Sequence, residues 1–514
     1  MDRKWWTLTA VSVGVFMLLL DITIVNVALP QIQHAFSARL SDLQWVIDAY
    51  ALVLAALLLM AGGVADLVGR RRIFASGIVL FVLASLLCGM SGSWEALAVA
   101  RGLQGIGGAM MFATSLALLA EAFPPERRGV AFGVFGAVTG IAVAIGPVLG
   151  GGLTSGLSWR WIFFINIPVG VLALIVTVLR VGESRDPGAK RPDLPGFVTF
   201  SAGLGCLVFG LIRSEPDGWT SPKVGFSLLA AAVLLLAFVV VERLSAAPMF
   251  DLGLLRVPTF GGGLLAAWAI SASIFSLLTY LLIYIQNILG YSSLQAGLRI
   301  LPLSVAIFFA AGAAGRASEH VPIRWLIGSG FVLVGAGLLL MRGVEAGQSW
   351  THFLPGFVVA GVGAGFINVP LASTAVGVVP PRHAGMASGI NSTFRQVGIA
   401  TGVAALGSVF SARVTDALRD NLASGPLAGQ AQNIAHAVTG GDANGALSRI
   451  PARQQELVRS AVPASYASAL NDILLIGGIV ALTAAVLTFV LIRQRDFVAS
   501  EPAAHEERVA VPVG

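Results

Sequence analysis

Fourteen apolar stretches, each long enough to cross a bilayer, fill this chain of 514 residues. They fall at approximately residues 7–29, 44–66, 73–92, 97–120, 129–152, 161–181, 196–213, 224–242, 259–288, 294–315, 323–341, 353–377, 386–411 and 473–492. A spanning helix needs roughly 20 apolar residues. A barrel would instead show short alternating segments. The expected fold is therefore an all-α membrane protein with fourteen transmembrane helices. Composition agrees: 56% of residues are hydrophobic and 11% charged, where soluble domains carry about 25% charge. Arg3 and Lys4 precede the first span as in a secretory signal. That apolar run is too long for one, and Asp21 interrupts it, so an uncleaved first helix is expected.

The net charge of +6 suggests nucleic acid until the charges are placed. Nineteen of the 32 lysines and arginines lie at the termini and in alternate loops. The positive-inside rule reads that pattern as an inner (plasma) membrane protein with both termini cytoplasmic. No nucleic-acid partner is expected; the partners are the lipid bilayer, protons and a small substrate, and the chain is expected to act as a monomer. Cys88 and Cys206 fall within spans, and the six histidines show no paired metal spacing. No disulfide, metal site or catalytic cluster is expected. No Gly-x-x-x-x-Gly-Lys-[Ser/Thr] phosphate loop occurs. Without that loop nothing supports ATP drive within the chain, and a proton gradient, with no cofactor, is the expected energy source.

Six spans lie on either side of a central pair. Residues 1–182 are expected to form one six-helix bundle and 259–497 a second, with 183–258 a linker carrying two extra helices. Two bundles related by pseudo-symmetry are the plan of many secondary transporters. Residues 412–471 read as a long outer loop with room for short helices, and 498–514 as a flexible tail.

Span two ends in Gly62-Gly63-Val64-Ala65-Asp66-Leu67-Val68-Gly69-Arg70-Arg71-Arg72. Three consecutive arginines cannot sit in hydrocarbon, so they mark an interface. Gly62 and Gly69 permit close packing and a tight turn. Asp66 can pair with arginine or meet a helix N-terminus. A gate loop built on Gly62, Asp66, Gly69, Arg70 and Arg71 is expected, although the arginines also fit a simple anchor. This run resembles the loop signature of the major facilitator superfamily, with Leu67 where a basic residue is usual.

An acid inside an apolar helix is costly and marks function by default. Span one carries Asp21, span two Asp48 and span four Arg101. At about 1.5 Å per residue, Asp21 stands roughly 20 Å above the cytoplasmic boundary, and Asp48 and Arg101 within about 8 Å of the outer one. All three reach one level, as a proton-coupling site requires. The plainer reading is an ion pair of Arg101 with one acid.

Span five combines Gly133 with Gly146-Pro147-Val148-Leu149-Gly150-Gly151. A proline there removes a helical hydrogen bond, and the glycines admit a neighbouring helix. The pattern resembles the antiporter signature of exporters in the same superfamily, with Ala142 at a usual glycine. Pro124-Pro125-Glu126-Arg127-Arg128-Gly129 and the run from Ser158 through Asn166 to Gly170 extend the likeness to the fourteen-helix drug:proton antiporter family, EmrB/QacA type. That resemblance implies the major facilitator fold, two six-helix bundles plus two inserted helices, and export of amphiphilic or cationic compounds. Asn26, Tyr280, Tyr284, Asn287, Asn391 and Arg395 are the polar and aromatic residues expected to line a substrate cavity. Arg395 admits three roles: attracting an anion, balancing Asp21 or pairing with helix carbonyls. A facilitator-type importer, or a dedicated exporter of an endogenous lipid, siderophore or antibiotic, would share this plan. A membrane-integral enzyme would need a catalytic cluster that the sequence lacks.

Overall fold

The computed structural model describes residues 2–497 apart from 37, 39, 125–126, 186–192, 246–247, 249, 251, 381–383, 424–426, 431–432 and 435–449. Helices α1 (Arg3–Phe36), α2 (Leu40–Val68), α3 (Arg70–Met90), α4 (Trp94–Ala122), α5 (Arg128–Gly156) and α6 (Trp161–Arg180) form the first half. Helices α7 (Leu194–Asp217) and α8 (Pro222–Leu244) follow. The second half begins with α9, which runs Pro258–Ile270, π-helical Ser271–Phe275, Ser276–Ile283 and π-helical Tyr284–Ile288. It continues through α10 (Ser293–Ala317), α11 (Ile323–Leu340), α12 (Leu354–Gly377), α13 (Ala384–Ala423) and α14 (Ala452–Leu491). Twelve of these are long and apolar enough to cross a membrane. The arms of α2, Trp45–Leu58 and Met60–Val68, qualify together across a 53° bend. The 29 residues of α5 contain the shorter apolar stretch Arg128–Ala142 and extend about 43 Å.

Helix boundaries follow local chemistry. The Ser93 hydroxyl accepts from Ala96 N–H (3.3 Å) to open α4, and the Asp193 carboxylate accepts from Gly196 N–H (3.0 Å) to open α7. Ser292 and Gln295 cap the start of α10 reciprocally. Between α2 and α3, Gly69 adopts φ 125°, a conformation that L side chains rarely take.

Within the first half, α4 packs on α2 and α3, α1 on α5, and α1 and α3 on α6. Within the second, α11 packs on α12 and α14, α10 on α12, and α13 on α9 and α14. Two main seams join the halves: α5 against α10, and α2 against α13. The extra helices pair with each other, and α7 leans on α2 and α13. Leu229, Val233, Leu236 and Val240 of α8 are each more than half exposed, the face such a helix turns to lipid tails.

Among its described residues, the expected outer loop, 412–471, is largely helical. Its flanks continue α13 to Ala423 and start α14 at Ala452, giving two helices of 40 residues each. Val414, Leu418 and Leu422 recur every four residues and join one buried cluster with Val458, Tyr466 and Leu470. Arg413 pairs with Asp472 (2.9 Å), and Asn421 donates to Ser465 (3.4 Å). Mean hydropathy misses such a segment because polar residues cover the other side of each helix. The tail 498–514 lies outside the described residues.

Candidate functional site

Asp21 and Arg101 meet. Both are fully buried, at 0% and 1% exposure, and Arg101 Nη1 donates to Asp21 Oδ2. Gln104 Nε2 and Asn166 Nδ2 each donate to Asp21 Oδ1 at 2.9 Å. Both amides also donate to Ser85 Oγ, at 2.7 and 3.0 Å. The other side of Arg101 is equally engaged: Nε donates to the Val46 carbonyl (3.0 Å), Nη1 also donates to Gln104 Oε1 (2.6 Å), and the guanidinium lies 4.3 Å from the Tyr50 ring centre. Five helices, α1, α2, α3, α4 and α6, thus contribute to one polar knot inside the first half. A buried pair is sustained only when its remaining lone pairs and protons find partners, and here both Asp21 oxygens and the Nε and Nη1 of Arg101 are engaged.

Asp21 and Arg101 are candidate proton-site residues from the sequence; Gln104, Asn166, Ser85 and Tyr50 are not. Gln104 was legible as the residue one turn from Arg101 on the same helix face. Asn166 was legible as a polar residue inside an apolar run. Ser85 and Tyr50 carry no comparable signal. The side chains of Asp48 and Asn26 lie outside the described residues.

A second cluster sits at the membrane face that carries both described ends. Asp66 Oδ1 accepts from Arg70 Nε (2.9 Å) and pairs with Nη2 (2.8 Å). Asp66 Oδ2 accepts from Met386 N–H (3.0 Å) in the first turn of α13. One carboxylate therefore joins α2 and α3 of the first half to a helix N-terminus of the second. Arg70 is also 3.6 Å from Glu121 at the end of α4. Glu183, after α6, accepts from Arg71 N–H (3.1 Å) and lies 3.7 and 3.6 Å from the Arg71 and Arg72 side chains. A Cβ on Gly69 would stand 2.6 Å from the Glu183 carboxylate. Gly62 is buried one turn before Asp66. Glu121 and Glu183 were not singled out in the sequence, because they are distant in the chain.

Helix α5 carries the third group. Gly129 and Gly315 of α10 lie backbone to backbone, and a Cβ on Gly133 would be 3.2 Å from the Ala311 carbonyl. Further along, Gly151 faces Leu294, with 3.5 Å for an added Cβ. Gly146 faces α1 instead, where an added Cβ would strike the Thr23 hydroxyl, two residues beyond Asp21. Gly150 is buried, and its carbonyl accepts from the Thr154 hydroxyl (2.6 Å). The Pro147 side chain lies outside the described residues.

Between the halves is a cavity lined by Phe112 and Leu116 (α4), Phe135, Gly136 and Thr139 (α5), Asn368 and Ala372 (α12), and Asn391, Ser392 and Arg395 (α13). It holds about 440 Å³ of empty space including its mouth. Arg395 Nη1 donates to Asn368 Oδ1 (3.0 Å). Tyr280 and Tyr284 are at 3% and 0% exposure within the second half and do not line it. Tyr280 donates to the Val403 carbonyl (2.8 Å), and its ring packs on Phe410. The Asn287 side chain lies outside the described residues. Phe112 lies eleven positions beyond Arg101 on α4, so the polar knot and the cavity are about 16 Å apart along one helix.

Known proteins resemble this chain in both sequence and fold. The multidrug resistance protein Stp of Mycobacterium tuberculosis is 38% identical over 417 residues, 81% of this chain and 78% of that protein. The tetracenomycin C resistance and export protein of Streptomyces glaucescens is 34% identical over 489 residues, 94% of this chain and 90% of that protein. The crystal structure of the human organic anion transporter MFSD10 superposes with a TM-score of 0.61, covering 94% of this chain and 100% of that one, at 15% identity. At that identity the likeness concerns the fold alone, which is the major facilitator fold expected from the sequence. The model of the Major Facilitator Superfamily matches residues 11–403, and this multi-pass membrane transporter belongs to that superfamily.

Proposed function

We propose that the protein is a proton-coupled exporter of amphiphilic drugs, of the fourteen-helix drug:proton antiporter type, in the bacterial plasma membrane with both termini cytoplasmic. Residues 1–182 and 259–497 act as the two moving bundles, and 183–258 carries the two inserted helices. The carrying observation is the sealed knot around Asp21, a carboxylate at 0% exposure with an arginine and two amides converging on it. Relatives with drug-resistance and export names at 34–38% identity support the export direction.

The geometry suggests how a proton is turned into movement. Protonating Asp21 removes the charge that Arg101 faces and leaves that guanidinium to the Val46 carbonyl, Gln104 and the Tyr50 ring. Helix α1 is then held less firmly against α4. Because Gly146 abuts Thr23, α5 feels any shift of α1, and through Gly129 and Gly133 α5 is seated on α10 of the other half. Asp66, bonded to Met386 N–H, holds the cytoplasmic side shut until that shift arrives. A ligand or proton moves such an equilibrium only by its differential affinity for the two states, and Asp21 supplies it for the proton.

The test uses inside-out vesicles with an acidified interior. Drug uptake should accompany proton exit, and Asp21→Asn should abolish the exchange while drug binding persists. Uphill uptake without an imposed gradient, or undiminished exchange by Asp21→Asn, would exclude the proposal.

A further inference from the structure

The cavity between the halves carries one formal charge. Of its lining residues only Arg395 is ionised, and no carboxylate lies within 4 Å of its guanidinium among the described residues. Asp21, the acid that could have balanced it, is committed to Arg101. Arg395 gives one N–H to Asn368, so donors remain. One turn away, Asn391 is 2% exposed and its Oδ1 has no hydrogen-bond partner. The walls opposite are Phe112, Leu116 and Phe135. An uncompensated cation in an apolar cleft is costly until an anion arrives, and a planar guanidinium matches an oxyanion with two parallel N–H bonds. The rings that favoured cationic substrates in the sequence, Tyr280 and Tyr284, are buried elsewhere.

We infer that this cavity takes aromatic substrates through one ionised acid group (carboxylate, sulfonate or phenolate) held on Arg395, with a neighbouring hydroxyl or amide of the substrate donating to Asn391. The inference rests on reading the cavity as the exporter's substrate site. It has an electrical corollary. Exchanging one inbound proton for one outbound monoanion moves two charges, so an inside-negative potential drives it. Exchanging a proton for a monocation moves none.

Fluorescein and rhodamine 6G share a ring system and differ in sign, so they serve as probes for the purified full chain in nanodiscs, at a pH where fluorescein is ionised. Fluorescein should bind saturably and more tightly than rhodamine 6G. Arg395→Gln should weaken fluorescein roughly 10- to 100-fold, Arg395→Lys should restore only part of that loss because it keeps the charge and loses the paired N–H bonds, and neither should weaken rhodamine 6G. Preference of the wild type for rhodamine 6G overturns the inference. So does unchanged fluorescein affinity, or equal loss of both dyes, in a folded Arg395→Gln. Uptake into vesicles separates the two readings. Fluorescein bound through Arg395 without proton-driven uptake removes the exporter and leaves the anion site. Proton-driven uptake of rhodamine 6G without fluorescein binding removes the anion site and leaves the exporter.

Discussion

At Asp21 three side-chain donors converge on one carboxylate, so the effect of a substitution depends on what it leaves behind. Asp21→Asn keeps the shape and one acceptor but takes the anion from Arg101 and turns an amide N–H toward a donor, so its thermal midpoint should fall, though less than that of Asp21→Leu. Asp21→Leu leaves Arg101 charged and unpaired at 1% exposure, which costs about 3–5 kcal/mol. Adding Arg101→Met to Asp21→Leu should recover much of that loss, because replacing both members of a buried pair by apolar groups is often nearly neutral. Thermal unfolding in detergent of the four combinations measures this. A double variant as unstable as the sum of its singles would mean that the pair is not an energetic unit.

At the scale of helices, glycine decides where α5 can sit. The smallest residue allows α5 to touch α1 at Gly146 and α10 at Gly129 and Gly133. Gly146→Leu should force α5 away from Thr23, costing about 1–3 kcal/mol in a packed interface, and should stop export while leaving the cavity able to bind. Normal export by this variant would show that α5 and α1 move independently. Much of this element logic was legible beforehand. Span lengths, the turn at Gly69 and the acid with arginine at Asp66 and Arg70 follow from hydropathy, backbone freedom and charge. The partners were not. Gly146 meeting Thr23, Asp66 meeting Met386 and Glu183 meeting Arg71 and Arg72 join segments up to 320 residues apart, and nothing local encodes such pairings. The protruding parts of α13 and α14 were missed for a different reason. Their apolar residues form a stripe rather than a run, and a stripe announces a partner helix only by its period.

For the whole molecule, the proposed latch rests on Asp66 of the first half accepting from Met386 N–H of the second. Met386 is 7% exposed, so a cysteine placed there should react slowly with a water-soluble thiol reagent. Combining Met386→Cys with Asp66→Asn should raise the labelling rate severalfold, because the helix N-terminus loses its charged partner. Equal rates with and without Asp66→Asn would show that the α5–α10 seam alone keeps this face shut. Cys88 is buried and Cys206 part-buried, so background labelling is measured on the parent chain.

The 40-residue helices α13 and α14 give the molecule a pointer. Each has a contour of about 60 Å, twice the thickness of the hydrocarbon core, and α13 carries Arg395 in its membrane half. A tilt of roughly 10° about that level moves the distal tip by several ångströms, while the groups around a substrate shift by far less. The clasp of Arg413 on Asp472 and Asn421 on Ser465 keeps the two rods together, so the magnified swing is carried out into water. In the proposed transport cycle, one spectroscopic label near Ala423 and a second at the exposed Gly92 between α3 and α4 would read that swing without touching its chemistry.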